Sequence, residues 1–595
     1  MDILNHPLDT ALIIRKSKSI KKELLCNGVA KQKIKIAVLG GSTSSDVIKN
    51  LEIFLLNYNI EPQFYESEYG LYFEDSVVDN TNLKKFKPDV VIIHTTNVNI
   101  HNYPQLNFSE ADIEKNIEEL VNKFVLIWDS LEMLGCNIIQ NNFDYPSVRP
   151  LGLSDSRISS GKTAFINKIN MKFHELSQSR KNLVINDICY LSAQIGISKW
   201  FDESNWYGYK MAVSFDASVS LGHAFAKITK LLYQQSYKCL VLDLDNTLWG
   251  GVIGDDGLGG IKLGQGSAIG EAYSDFQKYC KSLKEKGILL AVCSKNDAVN
   301  AIEGFDHPDS ILKYDDFSCF KANWEVKSEN IIKISKELNI GLDSIVFIDD
   351  NPVERDIVIS QIPEVATPNI GSDVSLFSKI IDHEGYFDQL SFNSDDLQRA
   401  SYYKDNKIRA TSQSKFKNYN DFLKSLDMRA EVAEFEGIYL DRITQLANKT
   451  NQFNLTTRRY TKPEIDKISS SEEYIAVYGR LADKFGDNGL VTSVIGNIRG
   501  KDLHIEAWFM SCRVLKRNME YIILDSIIKI AKKRKLKKLI GYYAVTNKNN
   551  MVSDHYQKIG FTDVSQHHEN EFDSTWELII DKFKQTKEVE VFSNE

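Results

Sequence analysis

The chain has 595 residues, of which 43% are hydrophobic and 26% are charged, as in ordinary soluble proteins. At ~150 residues per domain, this length predicts about four folded units. The net charge of −9 argues against a nucleic-acid-binding protein. No apolar run approaches the ~20 residues that span a bilayer, so we expect no membrane span.

The first residues, MDILNHPLDTALIIRKSKSIKKE, contain dispersed charges and no apolar core, so they do not resemble a secretory signal. The eight cysteines are scattered and form no C-x-x-C pair. This pattern indicates a reducing compartment and argues against a structural zinc site. We therefore expect a cytoplasmic protein.

Residues 1–30 are predicted to form a helical lead-in, and residues 31–236 alternate short apolar runs with amphipathic segments. The apolar runs include KIKIAVLGG, DVVIIHTTN and CNIIQNNF. Strands that alternate with helices at this interval predict βαβ units and a parallel sheet. We therefore expect an α/β domain of three layers.

Residues 237–384 carry acidic pairs after apolar strands. The strand CLVL is followed by Asp243 and Asp245, and SIVFI is followed by Asp349 and Asp350. Ligands of doubly wound sheets bind at such strand ends. One carboxylate of an i, i+2 pair can attack phosphorus while the other moves a proton. Four carboxylates in one cleft also require a compensating cation.

Two further elements of this domain bear polar candidates. A strand at Ile288–Val292 precedes Cys293, Ser294, Lys295 and Asn296. Lys327 precedes a helix whose predicted N-cap is Ser328, and we favour it over Lys321 because a helix N-terminus adds to its charge on a bound anion.

The stretch GGVIGDDGLGG after Trp249 predicts a short hairpin flap, so the strand-end crevice has no large cap and stays open to a large substrate. Residues 385–430 are polar and predict a helical bridging segment. Residues 431–595 begin with a predicted helix and continue with several strands and one long helix, which predicts an α+β domain.

The order DLDNT, SKN, Lys327 and DDNPVER resembles the four motifs of haloacid dehalogenase-like (HAD) phosphatases. The resemblance implies that Asp243 is the nucleophile, Asp245 the general acid and base, and Lys327 the neutralising cation. It implies Mg²⁺ held by Asp243, the Asp245 carbonyl and Asp349, with Asp350 acting through water. Thr247 and Ser294 would hold phosphoryl oxygens, with Lys295 and Asn296 as further substrate contacts.

The flanking regions resemble two other families. The first resembles SGNH hydrolases, with Ser42 at the nucleophile position and Asn97 at that of the oxyanion-hole asparagine. It lacks the late Asp-x-x-His of that family, which favours recognition or scaffolding over hydrolysis. The last region resembles GNAT acyltransferases, with Tyr556 at the acid position. Lys516 and Asn518 replace two glycines of its acetyl-CoA motif, which argues against acetyl-CoA catalysis.

The combination, over nearly the whole chain, resembles the FkbH family. The resemblance implies dephosphorylation of a phosphorylated three-carbon acyl donor, 1,3-bisphosphoglycerate, and transfer of glyceryl to the phosphopantetheine thiol of an acyl carrier protein. Cys293 is a candidate thioester site, or else a buried core residue. The basic run Lys529–Lys538 is a candidate landing site for an acidic carrier. A stand-alone phosphatase of small metabolites and an acyl-binding scaffold remain alternatives.

Overall fold

The structure is a computed structural model that describes residues 2–28, 31–234, 236–390, 409, 412, 416, 418–450, 452–511, 514–546, 549–565 and 572–583. Most of the bridging segment predicted at 385–430 lies outside these residues, as does Cys512–Arg513. The chain divides into two compact units, one of residues 1–233 with 461–463 and one of residues 234–460 with 464–595. Each unit is described by itself.

The N-terminal unit contains a parallel five-stranded sheet in the order β2-β1-β3-β4-β5, which is the flavodoxin-like order. Its strands are β1 Gln32–Gly40, β2 Ile60–Glu66, β3 Val90–His94, β4 Asn137–Asn141 and β5 Leu183–Asn186. Its helices are α1 Thr10–Cys26, α2 Ser45–Asn57, α3 Thr81–Phe86, α4 Glu110–Glu132, α5 Lys162–Ser179, α6 Ile188–Ile195, α7 Ile197–Trp200, α8 Glu203–Tyr209 and α9 Phe215–Tyr233.

Helices cover both faces of this sheet, as predicted for three layers. In β1, Ile36 and Val38 pack into one hydrophobic core with helices α1, α2 and α9. Ala37 and Leu39 point to the opposite face and pack with α4 and α5. Strands buried on both faces explain why the apolar runs of the sequence are continuous rather than alternating.

The first part of the second unit contains a parallel four-stranded sheet in the order β8-β7-β6-β9. Its strands are β6 Cys239–Leu242, β7 Leu289–Ser294, β8 Cys319–Ala322 and β9 Ile345–Ile348. Its helices are α10 Ile253–Asp256, α11 Ala268–Glu285, α12 Ala298–Glu303, α13 Lys327–Glu337, α14 Pro352–Gln361 and α15 Phe377–Glu384. The chain proceeds from β6 outward to β8 and then returns to β9 on the other side, so a ligand crevice is expected where β6 adjoins β9.

The remainder of this unit is an α+β domain with the predicted GNAT-like arrangement. Its sheet has the order β10-β11-β12-β13-β14-β16-β15, and only β13 and β14 pair in parallel. Its strands are β10 Arg429–Glu434, β11 Tyr474–Asp483, β12 Gly486–Arg499, β13 Asp502–Met510, β14 Lys538–Tyr543, β15 Thr562–Asp563 and β16 Ser574–Ile579. Its helices are α16 Tyr419–Ser425, α17 Leu440–Lys449, α18 Lys462–Ser470, α19 Met519–Lys533 and α20 His555–Lys558.

Within the part of the chain that the structure describes, no helix combines the length and the apolar character needed to cross a bilayer.

Candidate active site

Three carboxylates and one lysine meet where β6 adjoins β9. Asp243 follows β6, and Asp349 and Asp350 follow β9. Lys327 Nζ lies 3.0 Å from Asp243 Oδ1 and 2.6 Å from Asp349 Oδ2. Lys327 is only 3% exposed, so this ammonium group bridges two carboxylates away from bulk water. The strand ends therefore gather residues that are far apart in the sequence.

Lys327 is itself the first residue of α13, and Val326 is the N-cap. The predicted N-cap at Ser328 is therefore wrong by two positions, because the side chain of Ser328 bonds instead to Gln361 Oε1 on α14. Lys321 lies on β8, where it pairs with Glu337 at 2.7 Å. Lys327, and not Lys321, reaches Asp243.

The carboxylates can hold a divalent cation. Asp243, Asp349 and Asp350 each offer one oxygen, and these oxygens lie within 4.8 Å of one another. Asp243 Oδ1 is buried and lies against the Lys327 ammonium group at 3.0 Å, and a carboxylate oxygen has a second lone pair that a metal can use. Hard oxygen ligands of this kind suit Mg²⁺-sized and Ca²⁺-sized cations. The side chain of Asp245 is directed to other partners.

Electrostatics of the cluster follow from burial and from the crowding of like charges. Burial, and then the neighbouring Asp243 carboxylate, raise the pKa of Asp349 and of Asp350 when no metal is bound. Burial alone disfavours the charged form of Lys327, but contact with Asp243 and Asp349 raises its pKa above the ordinary value. Lys327 is thus a fixed positive charge, and a cation would restore the carboxylates to their ionised form.

Asp245 is oriented by three hydrogen-bond donors. Its Oδ1 accepts from Trp249 Nε1 at 2.9 Å and from the Ile253 amide at 3.0 Å. Its Oδ2 accepts from Asn296 Nδ2 at 2.9 Å. Burial raises the pKa of Asp245, although the hydrogen bonds from Ile253 and Trp249 act in the opposite direction. A half-buried carboxyl group with a raised pKa is suited to carry a proton.

The flap after Trp249 is not the plain hairpin that was predicted. Gly250 pairs with Lys262 in an isolated antiparallel bridge, and the intervening residues form the short helix α10. Asn246 adopts a left-handed conformation with φ of 54° and accepts the Gly251 amide at 3.0 Å. This turn brings the Ile253 amide back to Asp245.

The predicted phosphate contacts have different partners in the structure. Thr247 Oγ1 accepts the Asp350 amide at 3.3 Å and so ties the β6 and β9 loops together. Lys295 Nζ pairs with Glu354 at 2.6 Å, and Asn296 is directed to Asp245. Ser294 lies at the end of β7, where it is 2% exposed.

Cys293 is a core residue of β7 and not a loop residue, because the strand runs to Ser294 rather than ending at Val292. The side chain is 0% exposed, and Sγ lies 3.5 Å from the Lys327 carbonyl oxygen. Burial raises the pKa of this thiol well above its ordinary range. The thioester alternative for Cys293 is thereby disfavoured, since the thiolate is the nucleophilic form.

Sequence reasoning missed Arg355, which lies on α14 within the DDNPVER stretch. Its Nη1 donates to the carbonyl oxygens of Asp349 and Asp350, both at 2.8 Å. The helix begins with Asn351 as N-cap and Pro352 in its first turn, which fixes the position of Arg355. The sequence did show a basic residue five positions after Asp350 and six after Asp349, which could have indicated this contact.

In the N-terminal unit, Ser42 lies in the turn after β1, and Oγ lies 3.4 Å from His94 Nε2. Sequence reasoning missed His94 because it closes the apolar strand β3. Asn97, the predicted oxyanion-hole residue, is oriented by Asp144. Its Nδ2 and its backbone amide both donate to Asp144, at 2.9 Å and 2.8 Å. The asparagine that contacts the Ser42 turn is Asn99, through the Gly41 carbonyl oxygen at 2.7 Å.

In the C-terminal domain, Lys516 and Asn518 have φ of 65° and 59°, the left-handed conformation that glycine adopts most readily. The loop therefore keeps a glycine-like backbone although its side chains differ. Arg517, which lies between them, pairs with Asp483 at 3.0 Å. Tyr556 is 1% exposed and packs against Gly541, and burial raises its pKa. A buried core position does not suit Tyr556 as a catalytic acid.

Known proteins are similar to this chain over its N-terminal unit, its phosphatase-like domain and its C-terminal domain. Residues 30–230 match the family model described as FkbH, N-terminal domain. The solved N-terminal part of the protein BF1531 from Bacteroides fragilis, which contains a phosphatase domain complexed with Mg, is 32% identical. The match covers 63% of this chain and 99% of that chain, with a TM-score of 0.59.

Two acetyltransferases are also similar, each with a TM-score of 0.20 over 25% of this chain. The ribosomal-protein-S18-alanine N-acetyltransferase from Escherichia coli is 11% identical, with 94% of that chain covered. The PaiA N-acetyltransferase from Thermoplasma acidophilum in complex with coenzyme A is 15% identical, with 98% covered. No curated protein matches the chain.

The parallel sheet, the aspartate pairs at β6 and β9 and the buried lysine between them define a HAD-type phosphatase domain. Together with the preceding domain and the Bacteroides fragilis relative, they identify the group. The chain belongs to the FkbH-like HAD phosphatase family.

Proposed function

We propose that this protein removes phosphate from a phosphorylated three-carbon acyl donor, 1,3-bisphosphoglycerate, and transfers glyceryl to an acyl carrier protein thiol. The observation that carries the phosphatase part is the bridge from Lys327 to Asp243 and Asp349, at 3.0 Å and 2.6 Å. The donor and the carrier rest on the FkbH resemblance.

Asp243 is the proposed nucleophile because it lies at the strand end beside the buried cation. One of its oxygens bonds to phosphorus while the bond from phosphorus to the C3 oxygen breaks, giving an aspartyl-phosphate. Asp245 donates its proton to the departing oxygen. Asp245 then removes a proton from water as that water attacks phosphorus, releasing phosphate and Asp243. Burial raises the pKa of Asp245, which favours the protonated form that the first of these steps needs.

Mg²⁺ is the proposed cofactor, held by Asp243, Asp349 and Asp350. The three carboxylate oxygens, which lie within 4.8 Å of one another, fit this ion, and the Bacteroides fragilis relative was crystallised with Mg. When bound, the ion supplies positive charge to the transferring phosphoryl group. Lys327 adds a second fixed charge beside the nucleophile and screens Asp243 from Asp349.

Transfer of glyceryl requires a thiol to attack the acyl carbon of the donor, with release of the C1 phosphate. The proposed acceptor is the phosphopantetheine thiol of a carrier protein, which is an acidic partner. A basic run at the end of α19 and the start of β14 is the proposed landing site. Lys529, Lys532, Lys533, Lys535 and Lys537 are exposed there.

Intact-mass measurement of a carrier protein incubated with the enzyme, Mg²⁺ and bisphosphoglycerate tests the proposal. A glyceryl adduct that requires the enzyme supports transfer, and phosphate release without any adduct supports the stand-alone phosphatase alternative. Asp243→Asn tests the scaffold alternative. The substitution should leave the acyl binding of a scaffold intact, whereas it should abolish phosphate release by an enzyme. The exposed Asp255→Asn on the flap is the matched control.

A further inference from the structure

A serine, a histidine and an asparagine form a buried chain of contacts at the strand ends of the N-terminal unit. Ser42 follows β1, His94 closes β3 and Asn141 closes β4. His94 Nε2 lies 3.4 Å from Ser42 Oγ, and His94 Nδ1 lies 3.1 Å from Asn141 Nδ2. Their exposure is 2%, 0% and 0% for Ser42, His94 and Asn141, so bulk water does not compete for these bonds.

The orientation of the Asn141 amide follows from its other neighbours. Asn141 Oδ1 accepts from Asn186 Nδ2 at 2.9 Å, and Asn141 Nδ2 donates to the Thr95 carbonyl oxygen at 3.3 Å. Rotating the amide by 180° would place its oxygen against that carbonyl oxygen. The nitrogen of Asn141 therefore faces His94, and an NH₂ group can only donate.

This orientation determines the tautomer of His94. Nδ1 must accept the hydrogen bond from Asn141, so the single proton of the neutral ring lies on Nε2. Burial lowers the pKa of His94 to about 4, so the ring is neutral at physiological pH. Nε2–H consequently points at Ser42 Oγ as a donor.

A histidine in this tautomer cannot activate the serine. A general base needs a lone pair on the nitrogen that faces the hydroxyl, and in hydrolytic triads a carboxylate on the far nitrogen secures that arrangement. Replacing such a carboxylate by an amide lowers serine protease turnover by about 10⁴ while the geometry is retained. In this chain the amide is the native residue.

We propose that the N-terminal unit carries a serine–histidine pair of the hydrolase type that Asn141 holds in its inactive tautomer. The pair is assembled in space, but Ser42 is not a nucleophile in the native protein. Asn141 acts as a positioning residue, and its replacement by aspartate reverses the proton arrangement. The introduced carboxylate oxygen would accept Nδ1–H, which offsets its position near the Thr95 carbonyl oxygen, and would leave the Nε2 lone pair facing Ser42.

The direct test is the tautomer itself, observed by nitrogen NMR of the full chain with ¹⁵N-labelled histidine, with His94→Gln used to assign the signal. We expect a protonated Nε2 and an unprotonated Nδ1 in the native protein, and the reverse in Asn141→Asp. A native His94 with its proton on Nδ1 would overturn the proposal, and this measurement does not depend on how well the variant folds.

The chemical test uses p-nitrophenyl acetate with the full chain. In Asn141→Asp, the Ser42 proton passes to Nε2 as Oγ attacks the ester carbon, and p-nitrophenolate leaves an acetylated serine. We expect acetylation of Ser42 at least tenfold faster than in the native chain, and none in Asn141→Asp with Ser42→Ala. Equal rates in native and folded Asn141→Asp proteins would overturn the proposal, as would rapid acetylation of native Ser42.

Discussion

Asn296 donates a hydrogen bond of 2.9 Å from Nδ2 to Asp245 Oδ2, on the carboxylate oxygen opposite to the one that Trp249 holds. A residue expected to contact the substrate therefore orients the proposed proton carrier instead. Because the two donors form hydrogen bonds to different oxygens, the plane of the Asp245 carboxyl group is fixed. The geometry of proton transfer then depends on side chains that touch no phosphate.

Replacing Asn296 by alanine is expected to slow hydrolysis of an alkyl phosphate by about 10- to 100-fold, since a hydrogen bond to the carboxylate that forms as Asp245 gives up its proton contributes about 1.5–3 kcal/mol. The loss should be smaller with p-nitrophenyl phosphate, whose leaving group needs little protonation. Steady-state kinetics on both substrates measure this difference. Asn300→Ala on α12 is the control, and equal losses on both substrates would contradict the assigned role.

Replacing Lys327 by methionine is expected to reduce phosphatase turnover by about 10²- to 10³-fold, as for removal of a group that stabilises transition-state charge. The variant should also depend more strongly on Mg²⁺ for stability, because Asp243 and Asp349 lose the cation between them. Thermal unfolding with and without Mg²⁺ measures this second effect. A Tm increase on adding Mg²⁺ that matches the native increase would contradict the electrostatic account.

Acid should destabilise the N-terminal unit through His94. Its folded pKa of about 4 lies below the ordinary value of 6.5, so the unfolded chain binds more protons between these values. The free energy of unfolding therefore falls as pH decreases through this window, by up to about 1.4 kcal/mol per pH unit from this group. Urea titrations at pH 7, 6 and 5 should show a weaker fall in His94→Gln. If the free energy of unfolding falls with pH as steeply in His94→Gln as in the native protein, that result would be evidence against a buried neutral histidine.

The exposed basic residues at and beyond the end of α19 are expected to serve carrier binding but not phosphoryl chemistry. Changing Lys532, Lys533 and Lys535 to glutamate should lower kcat/KM for the carrier and weaken its salt dependence. Hydrolysis of a small phosphate ester should be unaffected. The control changes Lys16, Lys18 and Lys22 on α1 to glutamate, which alters the net charge equally. Comparable carrier defects in both triple variants would argue against a specific landing site.

The sequence indicated the central cluster because parallel strands end at one edge of a sheet. Asp243 and Asp349 are far apart along the chain, yet β6 and β9 are paired neighbours. An apolar strand followed by aspartate was therefore enough to predict that the two carboxylates lie together. Lys327 followed from its place at a helix start, although the boundary differed by two residues. The fold class was predictable for the same reason, from the alternation of strands and helices.

Side-chain direction in the loops was not predictable. Lys295 and Asn296 are adjacent in sequence, but one pairs with Glu354 on α14 and the other with Asp245. Those partners come from distant elements whose packing the local sequence does not encode. His94 was missed because a histidine inside an apolar strand gives no indication of Ser42, which lies 52 positions earlier.

The proposed mechanism depends on phosphorylation of Asp243, which can be detected by trapping the phosphorylated residue. Asp245→Asn should slow release of phosphate from the intermediate, and borohydride reduction of an acid-quenched reaction converts an aspartyl-phosphate to homoserine. We predict homoserine at position 243 by peptide mass spectrometry, only when substrate and Mg²⁺ are present. Substrate turnover that leaves Asp243 unmodified, with homoserine at another aspartate or at none, would contradict the account.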